Sequence, residues 1–125
     1  MKKSLLLIFL CIFSYATIHA EITWTLSDDG TLTISGTDMP DYYWDGTDTP
    51  WYSQADKIKK VVIKNGVKSI GGGAFSNCSN FTSVTIPNSV KTIGEWTFYG
   101  CSSLTSVTIP NSVTNIGELA FYHCI

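Results

Sequence analysis

The sequence predicts an α/β repeat fold that is mostly β: a right-handed solenoid with a parallel strand ladder and an N-terminal β-hairpin cap. Two observations lead to this prediction. First, a 23-residue unit fills the C-terminal half as Val67–Ser89, Val90–Ser112 and a truncated third copy, Val113–Ile125, and the two complete copies share 15 of 23 residues. Second, alternating apolar residues broken by a turn signal precede the repeats. A fixed period in the twenties is typical of solenoids, whose units must stack to bury an apolar face.

Each repeat begins its cycle with a short strand. An L-x-x-L-x-L spacing puts branched apolar residues on the inward side and threonines outward, and it occurs three times: Ile58/Val61/Ile63, Phe81/Val84/Ile86 and Leu104/Val107/Ile109. Pro87 and Pro110 end two of these strands because proline lacks the N–H that a ladder needs.

The rest of the repeat is expected to return the chain to the next strand. The segments Val90–Ile93 and Val113–Ile116 should turn back, with two inward residues each. A recurring glycine then allows a tight bend, and a recurring phenylalanine should point inward on a single helical turn. These residues are Gly71, Gly94, Gly117, Phe75, Phe98 and Phe121.

The segment before the repeats has a different pattern. Apolar residues alternate around Trp24 and again around Ile34, and Asp29-Gly30 between them is a strong turn signal, so we predict a β-hairpin. Gly36–Pro50 is rich in Gly, Pro, Asp and Thr, which indicates a loop. Because the end of a solenoid needs a cover with a polar outer face, we assign residues 21–57 to a hairpin cap and residues 58–125 to the repeats.

Residues 1–20 have the pattern of an export signal. Lys2 and Lys3 precede the apolar run Leu5–Phe13, followed by small or weakly polar residues with Ala16 or Ala20 as the cleavage site. The run is well short of the roughly 20 apolar residues that a membrane-spanning helix needs. We therefore expect a secreted or cell-surface protein without a membrane span after cleavage.

The charges are distributed unevenly along the chain. The 8 Lys+Arg and 10 Asp+Glu give a formal net charge of −2, yet the segment Glu21–Asp56 holds no basic residue. Five lysines follow between Lys57 and Lys68. A basic patch can indicate nucleic-acid binding, but this one is short and lacks arginine. We interpret it as a solvated edge strand whose lysines block unwanted pairing, and we expect no nucleic-acid partner.

Three cysteines lie in the same phase of the repeat. Cys78, Cys101 and Cys124 are spaced 23 residues apart, which predicts one interior column of reduced, buried thiols that behave as small apolar groups. A single disulfide is the alternative, since neighbouring strands lie ~4.8 Å apart and the geometry would permit one bridge. A metal site is less favoured, because no His or Asp recurs in phase.

At this point the residues support a family resemblance. The repeat IPNSVxxIGxxxFxxCxxLTSVT resembles the BspA-like leucine-rich repeats of bacterial surface and secreted proteins, and the preceding GTLTISG…IKKVVI stretch looks like their N-terminal lead-in. The resemblance covers Trp24 to Cys124. It implies a leucine-rich-repeat solenoid and a protein-binding role, such as adhesion to host surface or matrix proteins.

Catalysis has little support in the sequence. Of the two histidines, His19 lies in the predicted signal and His123 near the C-terminus, and neither a nucleophile motif nor a phosphate loop occurs. We expect a non-enzymatic protein with no cofactor and no metal. The candidate protein-binding site is the outward, predicted concave side of the strand ladder, with the residues Lys60, Val62, Lys64, Ser83, Thr85, Ser106 and Thr108.

Glycan binding is an alternative function. Tyr42, Tyr43 and Trp44 lie beside several aspartates, and rings can stack on sugars while carboxylates accept hydrogen bonds from hydroxyl groups. The competing interpretation is that these rings cover the end of the core. The pair Trp51-Tyr52 precedes Ala74-Phe75 by one repeat period, so that Tyr52 corresponds to Phe75. We therefore expect Tyr52 in the core.

Two further expectations concern the chain as a whole. It could be a truncated structural remnant without a ligand of its own. The predicted strand Leu104–Ile109 has a neighbour on one side only, and Phe121 and Cys124 have no following repeat to cover them. We therefore expect self-association through this end, or fraying after Ile116.

Overall fold

The structure is a computed structural model that describes residues 21–124. The predicted export signal at residues 1–20 lies outside the described residues. Within them the chain is mostly β, and its regular helix is a 3-10 helix at Tyr52–Lys57. The strands are β1 (Thr23–Leu26), β2 (Thr31–Ser35), β3 (Lys60–Ile63), β4 (Ser69–Ile70), β5 (Ser83–Thr85), β6 (Thr92–Ile93) and β7 (Asn115–Ile116).

The predicted hairpin forms at the start of a four-stranded sheet with the order β1-β2-β3-β5. Strand β1 is antiparallel to β2, which is parallel to β3. Gly30 closes the turn with φ +89°, and a side chain there would come within 2.8 Å of the Lys57 carbonyl oxygen. Hydrogen bonds from Ser27 and Thr31 lower the pKa of the Asp29 carboxyl group. The second strand of the hairpin is thus also the first strand of the parallel ladder.

The lysine-rich strand is not at the edge of this sheet. Strand β3 pairs with β2 on one side and with β5 on the other, so the edge-strand interpretation is wrong. The alternation from Lys60 to Lys64, directly after β3, is nevertheless as expected: Val61 and Ile63 are buried, whereas Lys60 and Lys64 are exposed. The error arose because β2, which we assigned to a separate cap, supplies an additional neighbour.

The third ladder strand, predicted at Leu104–Ile109, does not form. Strand β5 occupies the equivalent place one repeat earlier, but residues 105–109 make no ladder pairing with it. Leu104 remains buried, while Val107 and Ile109 are only half-buried. Strand β5 is therefore the edge strand of this sheet among the described residues.

The return segments form a second, three-stranded parallel sheet with the order β4-β6-β7. Ile70 lies beside Ile93, which lies beside Ile116. The expected inward residues are present in the second repeat, where Val90 and Ile93 are buried. The same expectation is wrong at Ile116, which is 49% exposed because no later turn among the described residues packs over it.

The phenylalanine segments are a series of tight turns, so the predicted helical turn is wrong. In the first repeat the Ala74 N–H donates to the Gly71 carbonyl and the Cys78 N–H to the Phe75 carbonyl. Gly73 and Asn77 have φ angles of +70° and +62°, and left-handed residues cannot continue a right-handed helix. The equivalent residues of the later repeats are also left-handed: Trp96, Gly100, Leu119 and His123.

Four stacked rings form the centre of the core. We call Trp51, Phe75, Phe98 and Phe121 the inner column; successive ring centroids lie 5.6, 5.6 and 5.2 Å apart, with planes within 17° of parallel. The Trp51 indole N–H donates to the Ala74 carbonyl at 2.9 Å. Tyr52, which we expected in the core, is 51% exposed. Trp51 occupies the core position that we expected for Tyr52. The separation between Trp51 and Phe75 is 24 residues, one more than the repeat period, and this additional residue shifts the phase.

The three cysteines are free thiols aligned beside this column. The Cys101 thiol donates to the Phe75 carbonyl and the Cys124 thiol to the Phe98 carbonyl, each at 3.0 Å. Burial raises the pKa of Cys78 to about 12 and also raises the pKa of Cys101 and of Cys124. Cys78 and Cys101 are buried as predicted, but Cys124 is only half-buried, since no later turn among the described residues covers it.

Candidate binding surfaces

The first candidate surface, which we call the sheet face, consists of the outward side chains of β1, β2, β3 and β5 together with Lys64, which directly follows β3. Lys60 lies opposite Ser83, and Val62 lies opposite Thr85. Lys60, Lys64, Ser83 and Thr85 are exposed and Val62 is half-buried. Five of the predicted site residues are therefore brought together on one face.

The other two predicted residues are not part of this sheet. Ser106 and Thr108 are exposed, but they lie in the unpaired segment at residues 105–109. In their place the hairpin contributes outward hydroxyl residues that sequence reasoning missed: Thr23, Thr25, Thr31, Thr33 and Ser35. The sequence signal that could have revealed these residues is the alternation of hydroxyl-bearing and apolar residues in TWTL and TLTIS. The resulting face carries two lysines, and none of its outward residues is acidic.

The aromatic cluster predicted at residues 42–44 divides into two parts. Tyr42 is half-buried and packs edge-on against Trp51 of the inner column, with ring centroids 5.8 Å apart. Burial, with a smaller contribution from the Asp48 charge, raises the pKa of Tyr42 to about 12. Tyr42 is therefore mainly a core residue. Tyr43 and Trp44 are 66% and 55% exposed and remain available for contact.

Trp44 is the first ring of a surface aromatic row. Its centroid lies 5.6 Å from that of Trp96, which lies 5.0 Å from Tyr99, which in turn stacks on Tyr122 at 5.8 Å. We call Trp44, Trp96, Tyr99 and Tyr122 the outer row. Sequence reasoning missed its repeat-borne members, although Trp96 and Tyr99 flank the inward Phe98 closely enough to suggest a second, outward stack.

Trp96 has an unusual backbone conformation for a large residue. Its φ angle is +63°, and glycine occupies the same place in the preceding repeat as Gly73, with φ +70°. A left-handed conformation costs a residue with a Cβ roughly 1–2 kcal/mol. The neighbouring turn holds it there, since the Trp96 N–H donates to the Glu118 carbonyl at 3.1 Å.

The second candidate surface is a groove beside Trp44 and Trp96, with a cavity volume of about 650 Å³. Asp41 lines the groove, and its Oδ1 accepts a hydrogen bond from the Gly72 N–H at 2.7 Å. The exposed Glu95 carboxylate makes no side-chain hydrogen bond within residues 21–124, and no lysine lines the groove. We call it the aromatic groove; its lining includes Asp41, Tyr43, Trp44, Glu95, Trp96, Asn115 and Ile116.

The parallel ladder and the repeat period together define a leucine-rich-repeat protein. The family model for the BspA type leucine rich repeat region, described with six copies, matches residues 49–125. The chain therefore belongs to the BspA-type leucine-rich-repeat family, which confirms the predicted family.

Solved structures of bacterial leucine-rich-repeat proteins are similar to this chain. A leucine-rich repeat protein from Eubacterium ventriosum ATCC 27560 is 38% identical with a TM-score of 0.76, over 85% of this chain and 28% of that one. A leucine-rich repeat protein from Bacteroides ovatus ATCC 8483 is 27% identical with a TM-score of 0.56, over 87% of this chain and 33% of that one. A leucine rich cell surface protein from Faecalibacterium prausnitzii A2-165 is 28% identical with a TM-score of 0.55, over 82% of this chain and 32% of that one.

The chain spans only about a third of the length of these solved proteins. Among curated proteins, no sequence matches it significantly. The described residues contain no helix of the length and hydrophobicity needed to cross a membrane. They also contain no cluster of three His, Cys, Asp or Glu side chains suited to a metal ion.

Proposed function

We propose that this chain is an exported, non-enzymatic module that is displayed at the cell surface and binds proteins through its sheet face. Leucine-rich-repeat modules generally serve as protein-interaction scaffolds, and stacked strands offer them an extended surface. The observation that carries the proposal is the continuous outward face of four strands, from Thr23 to Thr85, without an acidic residue. The similarity to a leucine rich cell surface protein supports display at the surface.

The chemistry of the sheet face favours a partner with an acidic surface. Lys60 lies on the interior strand β3, and Lys64 directly follows that strand. Threonine and serine hydroxyl groups surround both lysines. The face lacks the Trp, Tyr and Arg residues that dominate binding hot spots. A single module should therefore bind weakly, and many modules together should bind by avidity. Adhesion to host surface or matrix proteins is a function that fits this behaviour.

Charge reversal on the sheet face tests the proposal. The full chain is displayed on cells, and retention of matrix and plasma glycoproteins is compared with that of a Lys60→Glu/Lys64→Glu variant. A Lys68→Glu/Lys91→Glu variant is the matched control, since both lysines are exposed but lie outside the sheet. We expect only the first variant to lose retention.

Two outcomes would contradict protein binding at this face. In one, the parent chain retains no glycoprotein, which would favour a structural remnant without a ligand of its own. In the other, both charge-reversed variants lose retention equally, which would indicate a non-specific effect of net charge.

Self-association through the C-terminal end of the described solenoid is a further part of the proposal. Ile116, Leu119 and Tyr122 are 49%, 38% and 51% exposed. Val107, Ile109, Phe121 and Cys124 border an adjoining hollow of about 290 Å³. Such an apolar end offers a surface for a second copy of the chain.

Sedimentation of the chain over a range of concentrations tests this contact. A dimer or larger species should form as the concentration rises, and appending one further repeat with a polar cap should restore the monomer. A monomer at all concentrations, with strong amide protection after Ile116, would show that the final residues cover the core themselves.

A further inference from the structure

The aromatic groove has no part in the sheet face, and we propose that it binds neutral or amino-substituted oligosaccharides. The idea builds on the sequence hypothesis for Tyr42, Tyr43 and Trp44, but the structure changes its residues. Tyr42 borders the groove but packs mainly against Trp51 of the core, and Trp96 from a repeat is added beside Trp44. The inference is independent of protein binding at the sheet face.

The rings of the groove suit the apolar face of a pyranose. The planes of Trp44 and Trp96 meet at 58° with centroids 5.6 Å apart, so they form two adjacent walls. Trp44 and Tyr43 are more than half exposed. Large exposed rings gathered in one place mark binding sites on a soluble protein, because they are costly to leave in water.

The polar side of the groove suits hydroxyl groups. The Asp41 carboxylate is held by the Gly72 N–H but keeps further lone pairs free, and Glu95 has no side-chain hydrogen bond within the described chain. Both accept hydrogen bonds from hydroxyl or ammonium groups. With no basic residue in the lining, the two carboxylates repel acidic sugars. The volume of about 650 Å³ lies in the range of small-ligand sites.

An extended peptide fits this groove less well than a sugar does. A peptide that adds to a sheet obtains its affinity from unpaired main-chain groups at a strand edge. Here the N–H groups of Gly94, Trp96 and Gly117 donate to the carbonyl oxygens of Ile70, Glu118 and Ile93. These three main-chain donors are already used within the fold, so the rings and carboxylates are the groups that we expect a ligand to contact.

The left-handed backbone at Trp96 is a feature of the repeat, since Leu119 has φ +58° at the equivalent position of the next repeat. The preceding repeat places glycine at the equivalent position, where the left-handed conformation carries no steric cost. Trp96 keeps this conformation and directs a large ring to the surface beside Trp44. The contribution of this repeat to the groove is therefore the tryptophan side chain at that position.

A glycan array tests the proposal. The full chain, produced in a host that exports proteins, is applied to an array of neutral, amino-substituted and acidic oligosaccharides. Retained glycans are then titrated by quenching of tryptophan fluorescence. We expect binding of neutral or amino-substituted glycans, weakened about tenfold or more in Trp44→Ala and in Trp96→Gly because each loses one stacking surface.

Three variants serve as controls. Tyr52→Ala removes an exposed ring outside the groove and should leave binding unchanged. Glu95→Gln preserves the shape of the groove and should admit acidic oligosaccharides that the parent excludes. Lys60→Glu/Lys64→Glu should bind glycans normally, which separates this inference from the proposed function. Circular dichroism verifies the fold of each variant; if Trp96→Gly is unfolded, Trp44→Ala and Glu95→Gln still decide the question.

Three results would overturn the proposal. One is an array without any retained glycan. Another is binding that is insensitive to both Trp44→Ala and Glu95→Gln. The third is a preference for acidic glycans, or retention of a lysine-rich peptide with no retention of sugars.

Discussion

The inner column and the outer row are two series of neighbouring aromatic rings, and each joins rings of the repeats to a tryptophan that precedes them. In the column, Phe75 and Phe98 are fully buried with rings on both sides, whereas Trp44 and Tyr122 of the row are more than half exposed. Ring spacings are similar, between 5.0 and 5.8 Å. The repeat period aligns Phe75, Phe98 and Phe121 in the column but only Tyr99 with Tyr122 in the row, and the two series also differ in burial. The column should stabilise the fold, while the row should contribute little stability and be available to a ligand.

Removing a ring from the middle of the inner column should have the largest effect. Phe98→Ala leaves a cavity between Phe75 and Phe121, and buried Phe→Ala changes cost about 3–5 kcal/mol. This is a large part of the stability of a small domain. Urea denaturation followed by circular dichroism measures the loss, with the exposed Tyr52→Ala as control. A loss below about 1 kcal/mol would mean that the column is not central to stability.

Alkaline pH should weaken the core beside the inner column. Burial raises the pKa of Cys78 from its ordinary value near 9.0 to about 12. Between these values the unfolded thiol has lost its proton while the native thiol retains it, so the unfolding free energy should fall as pH rises through this window. Urea denaturation under reducing conditions at several pH values measures the slope. The Cys78→Ala variant should show a smaller decrease of the unfolding free energy with pH. An identical slope in the parent chain and in this variant would refute the assignment of the pH dependence to Cys78.

The end of the inner column should be less sensitive than its middle. Phe121 is half-buried and stacks on Phe98 from one side only, so Phe121→Ala should cost about 1–2 kcal/mol. The same denaturation experiment compares it with Phe98→Ala. Equal losses in the two variants would show that Phe121 is covered in solution, for example by a second copy of the chain.

Changes in the outer row should have the smallest effect on stability. At Trp96, Trp96→Gly and Trp96→Ala both remove the ring, but only alanine retains the steric cost of φ +63°. Trp96→Gly should therefore be more stable than Trp96→Ala by about 1 kcal/mol. Thermal denaturation of the two variants measures the difference. Greater stability of the alanine variant would show that the left-handed conformation costs nothing here.

Sequence reasoning succeeded where the signal was local or periodic. The turn at Asp29-Gly30, the inward residues of β3 and β5, and the stacked phenylalanines all follow from turn chemistry and spacing. It failed at Tyr52, where one additional residue shifts the phase and places Trp51 in the core. It also failed at Leu104–Ile109, where the strand pattern is present but residues 105–109 do not pair with β5.

The candidate sites depended still more on tertiary packing. Lys60 and Thr85 could be placed on one face by alternation alone, because side chains of a strand point to opposite sides. The contribution of β1 and β2 to that face depends on a pairing between segments almost thirty residues apart. The contact between Trp44 and Trp96 joins a loop to a repeat and has no periodic signal.

The sequence by itself determined the family, the repeat period, the hairpin and most of the buried positions. These properties follow from residue type and spacing, which act over one turn or one repeat. Only the tertiary structure decided that β2 extends the ladder, that Trp51 begins the inner column and that Trp96 and Trp44 form the aromatic groove. Each depends on which distant segments come into contact, and that choice is made by the packing of the whole core.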